Sequence, residues 1–585
     1  MVQILCLIFS AVAIFGIKGD NDISEVQYAL MPELFYLDNY DLCMLNGETA
    51  LFCTFVYHLQ PVDNDTTIWV LIQNISSNPQ NYRHDLLRHG ICVPTHCDGT
   101  IGNTTKEEIE VCYNMKFEKL ALKGHVSNLK CQTSQSPYTI DEYNIIFGAV
   151  LLLYLLFVLF ASFYERFVLN SDKMHLYQKN LNKGNMFIAA FSIPKNWIRL
   201  RSNNTNPDHR KLKCIQGIRF YNMICVIMTH TIMAALGGPV ANTLYTENTT
   251  RSVLNMLIAN GWYAIQTFFV ISGWLLSYHF YQMLEDMKKI KFTYIFVAIF
   301  NRYLRLAPSL AIMVGIHGTW LVHLSRGPYW DEMVGQEYRN CRKNGWTNLL
   351  FVNNYVDSDN MCLHQTWYIA ADMQLFIMAI VILFFTSHYP KQLKRIFILL
   401  LVIGFLTPGI VHHVFWWFLT FGMCISLILI AVIFYDPTFE VTPLKSAFYW
   451  SCGKNIFALG IAIGIFGFTR KIGWFARWFC EFHPVQILGR LTYSAYIVHV
   501  AIIRWEAGYK RYPTSANDGI IFVAVLGDVV CSYLAGVVLC LLIEMPVSAL
   551  QKLLASRSNR SKATLRKYSE KSLETLDMTS DINQT

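Results

Sequence analysis

The chain has 585 residues, of which 54% belong to the apolar set and only 15% are charged. Soluble domains lie nearer to about 45–50% apolar and about 25% charged, so this composition excludes an ordinary soluble protein and indicates a membrane protein. The net charge of +8 does not indicate nucleic-acid binding, because the basic residues cluster beside hydrophobic runs.

The first 19 residues have the pattern of a signal peptide. Residues 4–17 form an apolar run, followed by Lys18, Gly19 and Asp20. A run of this length is too short to cross a bilayer comfortably but fits a signal-peptide core. We therefore expect cleavage near Gly19. An uncleaved anchor is the alternative, because no basic residue precedes the run.

Residues 20–140 carry an even number of cysteines, which is typical of a small exported domain held by disulfides. They are Cys43, Cys53, Cys92, Cys97, Cys112 and Cys131. Six cysteines allow 15 pairings, and the sequence does not choose among them. Zinc binding is the alternative, but the segment contains no Cys-x-x-Cys pair.

N-glycosylation acceptors occur in the same segment and support export. The predicted sites are Asn64, Asn74 and Asn103, with Asn248 in a later loop. Cysteines and acceptors together predict an extracellular or lumenal N-terminal domain. The protein is then an integral membrane protein of the secretory pathway, in the endoplasmic reticulum or plasma membrane.

The first predicted span covers residues 145–163, which contain no charge and are long enough to cross a bilayer. The stretch 164–213 that follows holds ten Lys and Arg residues against three acids. By the positive-inside rule this stretch is cytoplasmic, which again places the N-terminal domain outside.

Further apolar runs predict more spans. They lie near residues 217–237, 261–282, 303–324, 366–386, 396–411, 412–435, 448–468, 489–505 and 519–545. The expected fold is an all-α polytopic membrane protein with about 10–11 transmembrane helices and a small disulfide-bonded N-terminal domain. Ten spans would put the C-terminus outside, whereas the basic tail 547–585, predicted to be disordered, favours the cytoplasm.

The loop 325–364 faces outside in this topology and contains Cys341 and Cys362. A disulfide between them is one interpretation, and two free thiols are the other.

Two ionisable residues share one face of the span at 217–237. Arg219 and His230 are eleven residues apart, close to three helical turns, which places His230 about 16 Å deeper. An ionisable side chain inside a span is a functional hypothesis by default. The alternative is a neutral histidine hydrogen-bonded between helices.

The spacing of Arg219 and His230, with ten residues between them in an opening span, also resembles the hallmark of the acyltransferase-3 family. Five more blocks resemble its motifs in the same order. They are Thr267–Leu276, Arg302–Pro308, Thr366–Phe376, Leu491–His499 and Glu544–Pro546. The last three, with Asn39–Cys43 and Gly90–Cys97, are similar to the animal nose-resistant-to-fluoxetine group. The resemblance covers roughly residues 30–550.

The resemblance divides the chain into five parts. They are a signal peptide (1–19), a cysteine-rich N-terminal domain (20–140), a first helix with a basic loop (141–213), an acyltransferase-3 transmembrane domain (214–546) and a tail (547–585). Two departures stand out. The N-terminal domain is shortened at its front, and the family's Gly-rich segment is absent between Phe405 and Trp416.

The resemblance implies a membrane O-acyltransferase that uses a cytoplasmic acyl-CoA as co-substrate, with no bound cofactor and no metal. His230 is then the base that deprotonates an acceptor hydroxyl, and Arg219 binds the donor. Supporting residues are Arg302, Arg305, Asp372, Gln374, His499 and Glu544.

Each supporting residue has a plainer interpretation as well. Arg302 and Arg305 are expected to anchor a helix at the interface by snorkelling. Asp372 and Gln374 serve helix packing. Glu544 pairs with an arginine or orients a histidine, and His499 is the second choice for the catalytic site.

The implied partners are the bilayer, acyl-CoA and a hydroxyl-bearing or lipid-like acceptor. The alternative function is uptake or transport of lipids or hydrophobic small molecules without acyl transfer. Transporters often contain inverted repeats with interrupted helices, and no clear internal repeat occurs in this sequence.

Overall fold

The structure is a computed structural model. It describes residues 25–554 apart from 64–65, 79–80, 101, 136, 170–182, 203–211, 251–260, 288–289, 389–417, 436–438, 440 and 471. The predicted signal peptide, the acceptor Asn64, the span at 396–411 and the tail from 555 onward lie outside the described residues.

The N-terminal domain is built on a four-stranded sheet, which the cysteine pattern did not predict. Its strands are β1 (Phe35–Leu37), β2 (Leu51–Pro61), β3 (Leu86–Cys92) and β4 (Leu122–Thr133), in the order β1-β3-β2-β4. Only β1 and β3 are parallel. Helices α1 (Thr67–Ser77) and α2 (Thr105–Phe117) contribute buried residues to the same apolar core.

The cysteines of this domain form three disulfides, as predicted. The pairs are Cys43–Cys92, Cys53–Cys131 and Cys97–Cys112. A fourth bridge joins Cys341 to Cys362, so the free-thiol interpretation of that pair is wrong. With all six N-terminal thiols paired, no thiolate of this domain is left for zinc.

Buried His89 shows how tightly this domain is organised. Its Nδ1 lies 2.8 Å from the Tyr113 hydroxyl, and its Nε2 lies 2.8 Å from the Glu33 carbonyl oxygen. Because a carbonyl only accepts, Nε2 carries the proton and Nδ1 accepts from the tyrosine. Burial lowers the pKa of His89 to about 4, so the side chain is neutral at physiological pH.

Helices make up the rest of the described chain. Their bounds are α3 (Glu142–Phe167), α4 (Lys183–Ala190), α5 (Ile193–Arg201), α6 (Lys213–Gly237), α7 (Thr243–Thr250), α8 (Trp262–Met287), α9 (Thr293–Gly318), α10 (Gln336–Leu349), α11 (Trp367–His388), α12 (Met423–Ile430), α13 (Pro443–Thr469), α14 (Trp474–Glu481), α15 (His483–Arg490), α16 (Thr492–Tyr509) and α17 (Asp518–Leu554).

Six of these helices are long and apolar enough to cross a membrane: α3, α6, α9, α11 (with the turn from His364), α13 and α17. The predicted span at 489–505 is instead the bent pair α15–α16, with 68° between its arms, and counting this pair as one span gives up to seven within the described residues. The polytopic fold is confirmed.

The N-terminal domain docks on the far end of α6. The Tyr82 hydroxyl donates to the Leu236 carbonyl oxygen at 2.5 Å. Glu247 on α7 lies 2.8 Å from His84 Nε2 and accepts from the Tyr82 backbone N–H at 3.0 Å. Both Glu247 and His84 are almost fully buried, so the two domains share a packed interface.

The end of α17 lies on the same side of the membrane domain as the predicted cytoplasmic loop. Arg511, just after α16, pairs with Asp41 of the N-terminal domain at 3.0 Å, so the chain reaches the N-terminal-domain side before α17 begins. At its other end α17 places Lys552 in the same cavity wall as Arg199. The end of α17 thus agrees with the side that the basic tail predicts, while the tail itself and the span at 396–411 lie outside the described residues.

Helix α10 lies in the predicted outside loop but runs back beside α9. Arg342 Nε donates to the Gly318 carbonyl oxygen at 2.9 Å, and the rings of Phe351 and Tyr303 lie 5.8 Å apart. Tyr303 and Gly318 lie fifteen residues, about 22 Å, apart on α9, so side chains of α10 and of the turn after it contact α9 over more than half of its length.

The orientation of the N-terminal domain can be tested by its glycans. Asn74, Asn103 and Asn248 are exposed. If the N-terminal domain lies outside the cytoplasm, these acceptors are on the side of the membrane where N-glycosylation occurs, so we expect at least one of them to be modified. Asn203, an acceptor in the basic loop, is expected to be bare. Each acceptor is replaced singly by Asn→Gln, and the electrophoretic mobility of each variant is compared with that of the wild type before and after glycosidase treatment. A glycan on Asn203 would overturn the orientation.

Candidate functional site

A cavity of about 790 Å³ opens between helices on the side of the basic loop, and we call it the basic cavity. Its wall contains seven basic residues: Lys195, Arg199, Lys213, Arg219, Arg305, Arg490 and Lys552. Among its described lining residues Glu544 is the only acid. The cavity therefore favours an anionic ligand.

Helix α5 forms one wall of the basic cavity and is held firmly. Asn196 is fully buried, and its Nδ2 donates to the Ala190 carbonyl oxygen at 3.0 Å. Arg490 Nη1 donates to the carbonyl oxygens of Leu200 and Ser202, at 2.6 and 2.8 Å, and so satisfies the end of the helix.

A second space of about 520 Å³, the inner chamber, adjoins the basic cavity and shares six lining residues with it. They are Arg219, Leu275, His279, Arg305, Arg490 and Glu544. On α9 its lining runs from Tyr294 to Leu306, twelve residues or about 18 Å. Its other lining residues come mainly from α8, α11, α16 and α17. The two spaces together extend from the basic side deep into the helix bundle.

An ion pair crosses the inner chamber. Arg302 on α9 bonds Asp372 on α11, and its Nη2 also donates to Ser272 Oγ at 2.9 Å. The guanidinium lies over the Phe376 ring, 4.3 Å from its centroid. Arg302 is therefore neutralised within the bundle, and the prediction that it snorkels at the interface is wrong.

Arg219 and Arg305 differ from Arg302. Within the described part of the chain neither lies within ion-pair distance of an acid, although both line the chamber with Glu544. Glu544 accepts a hydrogen bond from Ser494 Oγ at 2.9 Å, and Arg305 and Arg219 interact with its carboxylate only at longer range. The two unpaired arginines therefore remain for an anionic ligand.

The structure brings His230 and His499 together. Their ring centroids lie 5.1 Å apart, in an edge-to-face arrangement. Tyr496, which lines the inner chamber, lies 5.5 Å from the His499 ring and 5.6 Å from the Tyr368 ring. The histidine pair thus lies directly behind the aromatic end of the chamber.

Hydrogen bonds fix how each imidazole is oriented. Nδ1 of His230 lies 2.9 Å from the Val226 carbonyl oxygen, and Nδ1 of His499 lies 2.7 Å from that of Tyr496. Because carbonyls only accept, both Nδ1 atoms carry protons, and the neutral rings leave Nε2 as a base. His499 Nε2 is buried and has no partner among the described residues.

Not every predicted residue belongs to this site. Gln374 Nε2 donates to Asn354 Oδ1 at 2.9 Å and to the Phe351 carbonyl oxygen at 2.8 Å, so it holds the turn after α10. Sequence reasoning missed Lys195 and Arg490 as cavity residues. Arg490 directly precedes the block that begins at Leu491, which was the one available signal.

Comparison with known proteins supports the resemblance. Residues 212–424 match the family described as an acyltransferase domain, acyltransferase-3. The matched segment of the acyltransferase domain includes Arg219, His230, Arg302, Arg305 and Asp372, whereas His499 and Glu544 lie after it.

Two curated relatives come from Caenorhabditis elegans. Nose resistant to fluoxetine protein 6 is 25% identical over 339 residues, which cover 52% of this chain and 38% of the relative. Regulator of hypoxia-inducible factor 1 is 27% identical over 190 residues, covering 31% and 36%. The chain thus spans less than two fifths of the length of these relatives. No solved structure matches.

Proposed function

We propose that the protein is a membrane O-acyltransferase that moves an acyl group from acyl-CoA, bound in the basic cavity, to a hydroxyl of a lipid-like acceptor. The observation that carries this proposal is the buried histidine pair directly behind the aromatic end of a chamber that opens from a basic cavity. The acyltransferase-3 domain supports the same reaction class.

The dimensions suit a coenzyme A thioester. Its phosphates match the basic cavity, and its neutral pantetheine arm matches the inner chamber. His230 lies about 16 Å beyond Arg219 along α6. The arm, with two amide units, has the reach of about five extended residues, roughly 16 Å. Phosphates held at Arg219 would therefore bring the thioester carbonyl to the histidines.

The histidine pair supplies the chemistry. His230 Nε2 takes the proton of the acceptor hydroxyl, whose oxygen attacks the thioester carbonyl carbon and forms a C–O bond. The C–S bond then breaks, and the imidazolium returns the proton to the leaving thiolate. The products are an ester and free coenzyme A. His499 contacts the His230 ring edge to face, 5.1 Å between centroids, and positions it.

The acceptor is proposed to be lipid-like because of where the histidines lie. They lie well inside a membrane helix and between other helices, about 16 Å deeper than Arg219. A lipid can present its hydroxyl at that depth from within the bilayer, whereas a water-soluble acceptor needs an aqueous path.

Label transfer tests the function directly. Purified protein is incubated with acyl-CoA labelled in the acyl group and a lipid extract, and we expect labelled ester and free coenzyme A in equal amounts. A protein that only transports lipids would move lipid across the membrane without forming any labelled ester. Absence of ester from a folded, acyl-CoA-binding protein would overturn the proposal.

Arg219→Ala is expected to weaken donor binding more than it slows chemistry. Loss of one charged hydrogen bond typically costs about 1.5–3 kcal/mol, so KM for acyl-CoA should rise by about tenfold or more. Because the donor phosphates lie far from the reacting carbon, kcat should change little. Steady-state kinetics separate the two constants, and Arg219→Lys should recover part of the affinity. A loss confined to kcat would place Arg219 at the chemistry instead.

A further inference from the structure

The mouth of the basic cavity is built from parts of the chain that lie outside the acyltransferase-3 match. Lys195 and Arg199 come from α5, Arg490 from α15 and Lys552 from the end of α17. Four basic side chains from three elements thus line one opening. We call these four residues the mouth cluster.

The mouth cluster does more than mark the side of the membrane. A topological signal needs only positive charge near the span and does not require side chains to line a cavity. Arg201, two residues after Arg199 on the same helix, is exposed and does not line the cavity. Within one short helix, two basic residues therefore face the opening and one does not.

The positive charges at the mouth lack sufficient acidic partners. Burial, with the neighbouring charge of Arg199, lowers the pKa of Lys195. Nearby Glu165 offsets this only in part, and it accepts a hydrogen bond from Ser192 at 3.2 Å. Crowded like charges in a half-buried wall repel one another, so an anion bound between them relieves the repulsion.

The cluster is rigid enough to recognise a ligand. Asn196 fixes α5 between the Ala190 and Leu541 carbonyl oxygens, at 3.0 and 3.4 Å. Arg490 contributes Nη1 to the end of α5, and within the described part of the chain its Nη2 and Nε have no recorded bond. A planar guanidinium with free donors is suited to phosphate.

The order of groups along the cavity matches the order in coenzyme A. Lys195, Arg199 and Lys552 line only the basic cavity, whereas Arg219 and Arg490 line both the basic cavity and the inner chamber. The histidines lie about 16 Å further along α6 from Arg219. In the donor, the adenosine 3′-phosphate comes first, the diphosphate next and the thioester last.

We propose that the mouth cluster binds a phosphate monoester, the 3′-phosphate on the adenosine end of coenzyme A. This inference rests on the proposed function and makes it more specific. The donor is a coenzyme A thioester and not an acyl group on a carrier-bound phosphopantetheine, which lacks the 3′-phosphate. A monoester headgroup of an anionic lipid has the same chemistry and is the other source to be tested.

Equilibrium binding to the full-length protein in detergent tests the inference without needing turnover. The probes are coenzyme A, 3′-dephospho-coenzyme A and dioctanoyl phosphatidate. We expect coenzyme A to bind about tenfold or more tightly than its dephospho form, because a charged hydrogen bond is lost in the latter. Phosphatidate should displace coenzyme A poorly.

The variant Lys195→Gln/Arg199→Gln should remove this preference, bringing the two affinities within about twofold, while binding of the dephospho form stays unchanged. Arg201→Gln is the matched control and should retain the full preference. Since Arg199 also donates to Asn196 Oδ1 at 2.9 Å, the variant could lose stability. Lys552→Gln, an exposed position, is the second variant and should reduce the preference with α5 intact.

Equal binding of coenzyme A and its dephospho form by the wild type would overturn the inference, even if acyl transfer is observed. Phosphatidate competing as well as coenzyme A would overturn the nucleotide assignment and point to a lipid headgroup. Conversely, retained preference without any ester formation would support the phosphate site and remove the proposed function. The two failures are thus distinguishable.

Discussion

Replacing His230 with alanine is expected to lower kcat for acyl transfer by about 10²–10⁴-fold, while the protein stays folded and continues to bind acyl-CoA. General base catalysis typically contributes this much, equal to about 3–5 kcal/mol of barrier. The donor contacts at Arg219 are unaffected, so KM should change little. Label transfer under single-turnover conditions, with equal amounts of folded protein, measures the loss.

A matched control is available on α9. His317 is also buried, and its Nδ1 lies 2.8 Å from the carbonyl oxygen of Met313, four residues earlier, as Nδ1 of His230 lies near Val226. None of the three histidines lines a cavity, but His230 lies against His499, which contacts the chamber-lining Tyr496, whereas within the described part of the chain His317 has no such ring contact. His317→Ala should therefore cost stability without a comparable loss of kcat. Equal loss of kcat in both variants would remove the specific role of His230.

His499 is unsuitable as a control for His230, because the centroids of the two rings lie 5.1 Å apart. His499→Ala should lower kcat as well, although less than His230→Ala. Residues that act as a unit are not additive, so the double variant should be about as slow as His230→Ala alone. Additive losses would mean that the two histidines serve separate steps. Near-normal turnover in folded His230→Ala would shift the base to His499.

The relation between Arg219 and His230 could be predicted from sequence because both lie on one helix. Helical geometry alone gives their shared face and their separation, and the structure keeps both on α6. Long apolar runs predicted the spans for a similar local reason, since each crossing must satisfy its own backbone. The disulfide framework likewise followed from composition.

Partners from distant segments could not be predicted. His499 meets His230 only because α16 packs against α6, and no local pattern in either helix encodes that contact. The same holds for Lys195, which belonged to the predicted basic loop, and for Arg490, which fell at the start of the predicted span at 489–505, because only the packing of α5 and α15 brings them into one wall. Apolar periodicity shows that a face is buried but not what covers it.

The sheet of the N-terminal domain was missed for a different reason. The segment 51–61 is rich in aromatic and β-branched residues, yet its cysteines and acceptors drew the interpretation toward disulfides. The bend between α15 and α16 also escaped, because a hydrophobic run shows length and not direction. The apolar pattern of a sequence is one-dimensional, whereas bends and strand pairings depend on tertiary contacts.

Breaking the Arg302–Asp372 pair is expected to destabilise the fold strongly. Asp372→Ala leaves the largely buried Arg302 without its carboxylate, and such a loss typically costs about 3–5 kcal/mol. Reversible unfolding in detergent measures the change. The contacts of Arg302 with Ser272 and Phe376 remain, but neither neutralises its charge.

The double variant Arg302→Met/Asp372→Leu separates structure from catalysis. Replacing both charges by apolar side chains of similar size is often neutral or stabilising, so we expect most of the stability to return. Because Asp372 neutralises Arg302, we expect the pair only to join α9 to α11. KM for acyl-CoA in the double variant should then stay close to the wild-type value. Arg219→Ala should raise KM far more. A stable double variant with a KM as poor as that of Arg219→Ala would show that the donor contacts the ion pair itself, and that the inner chamber recognises charge along its whole depth.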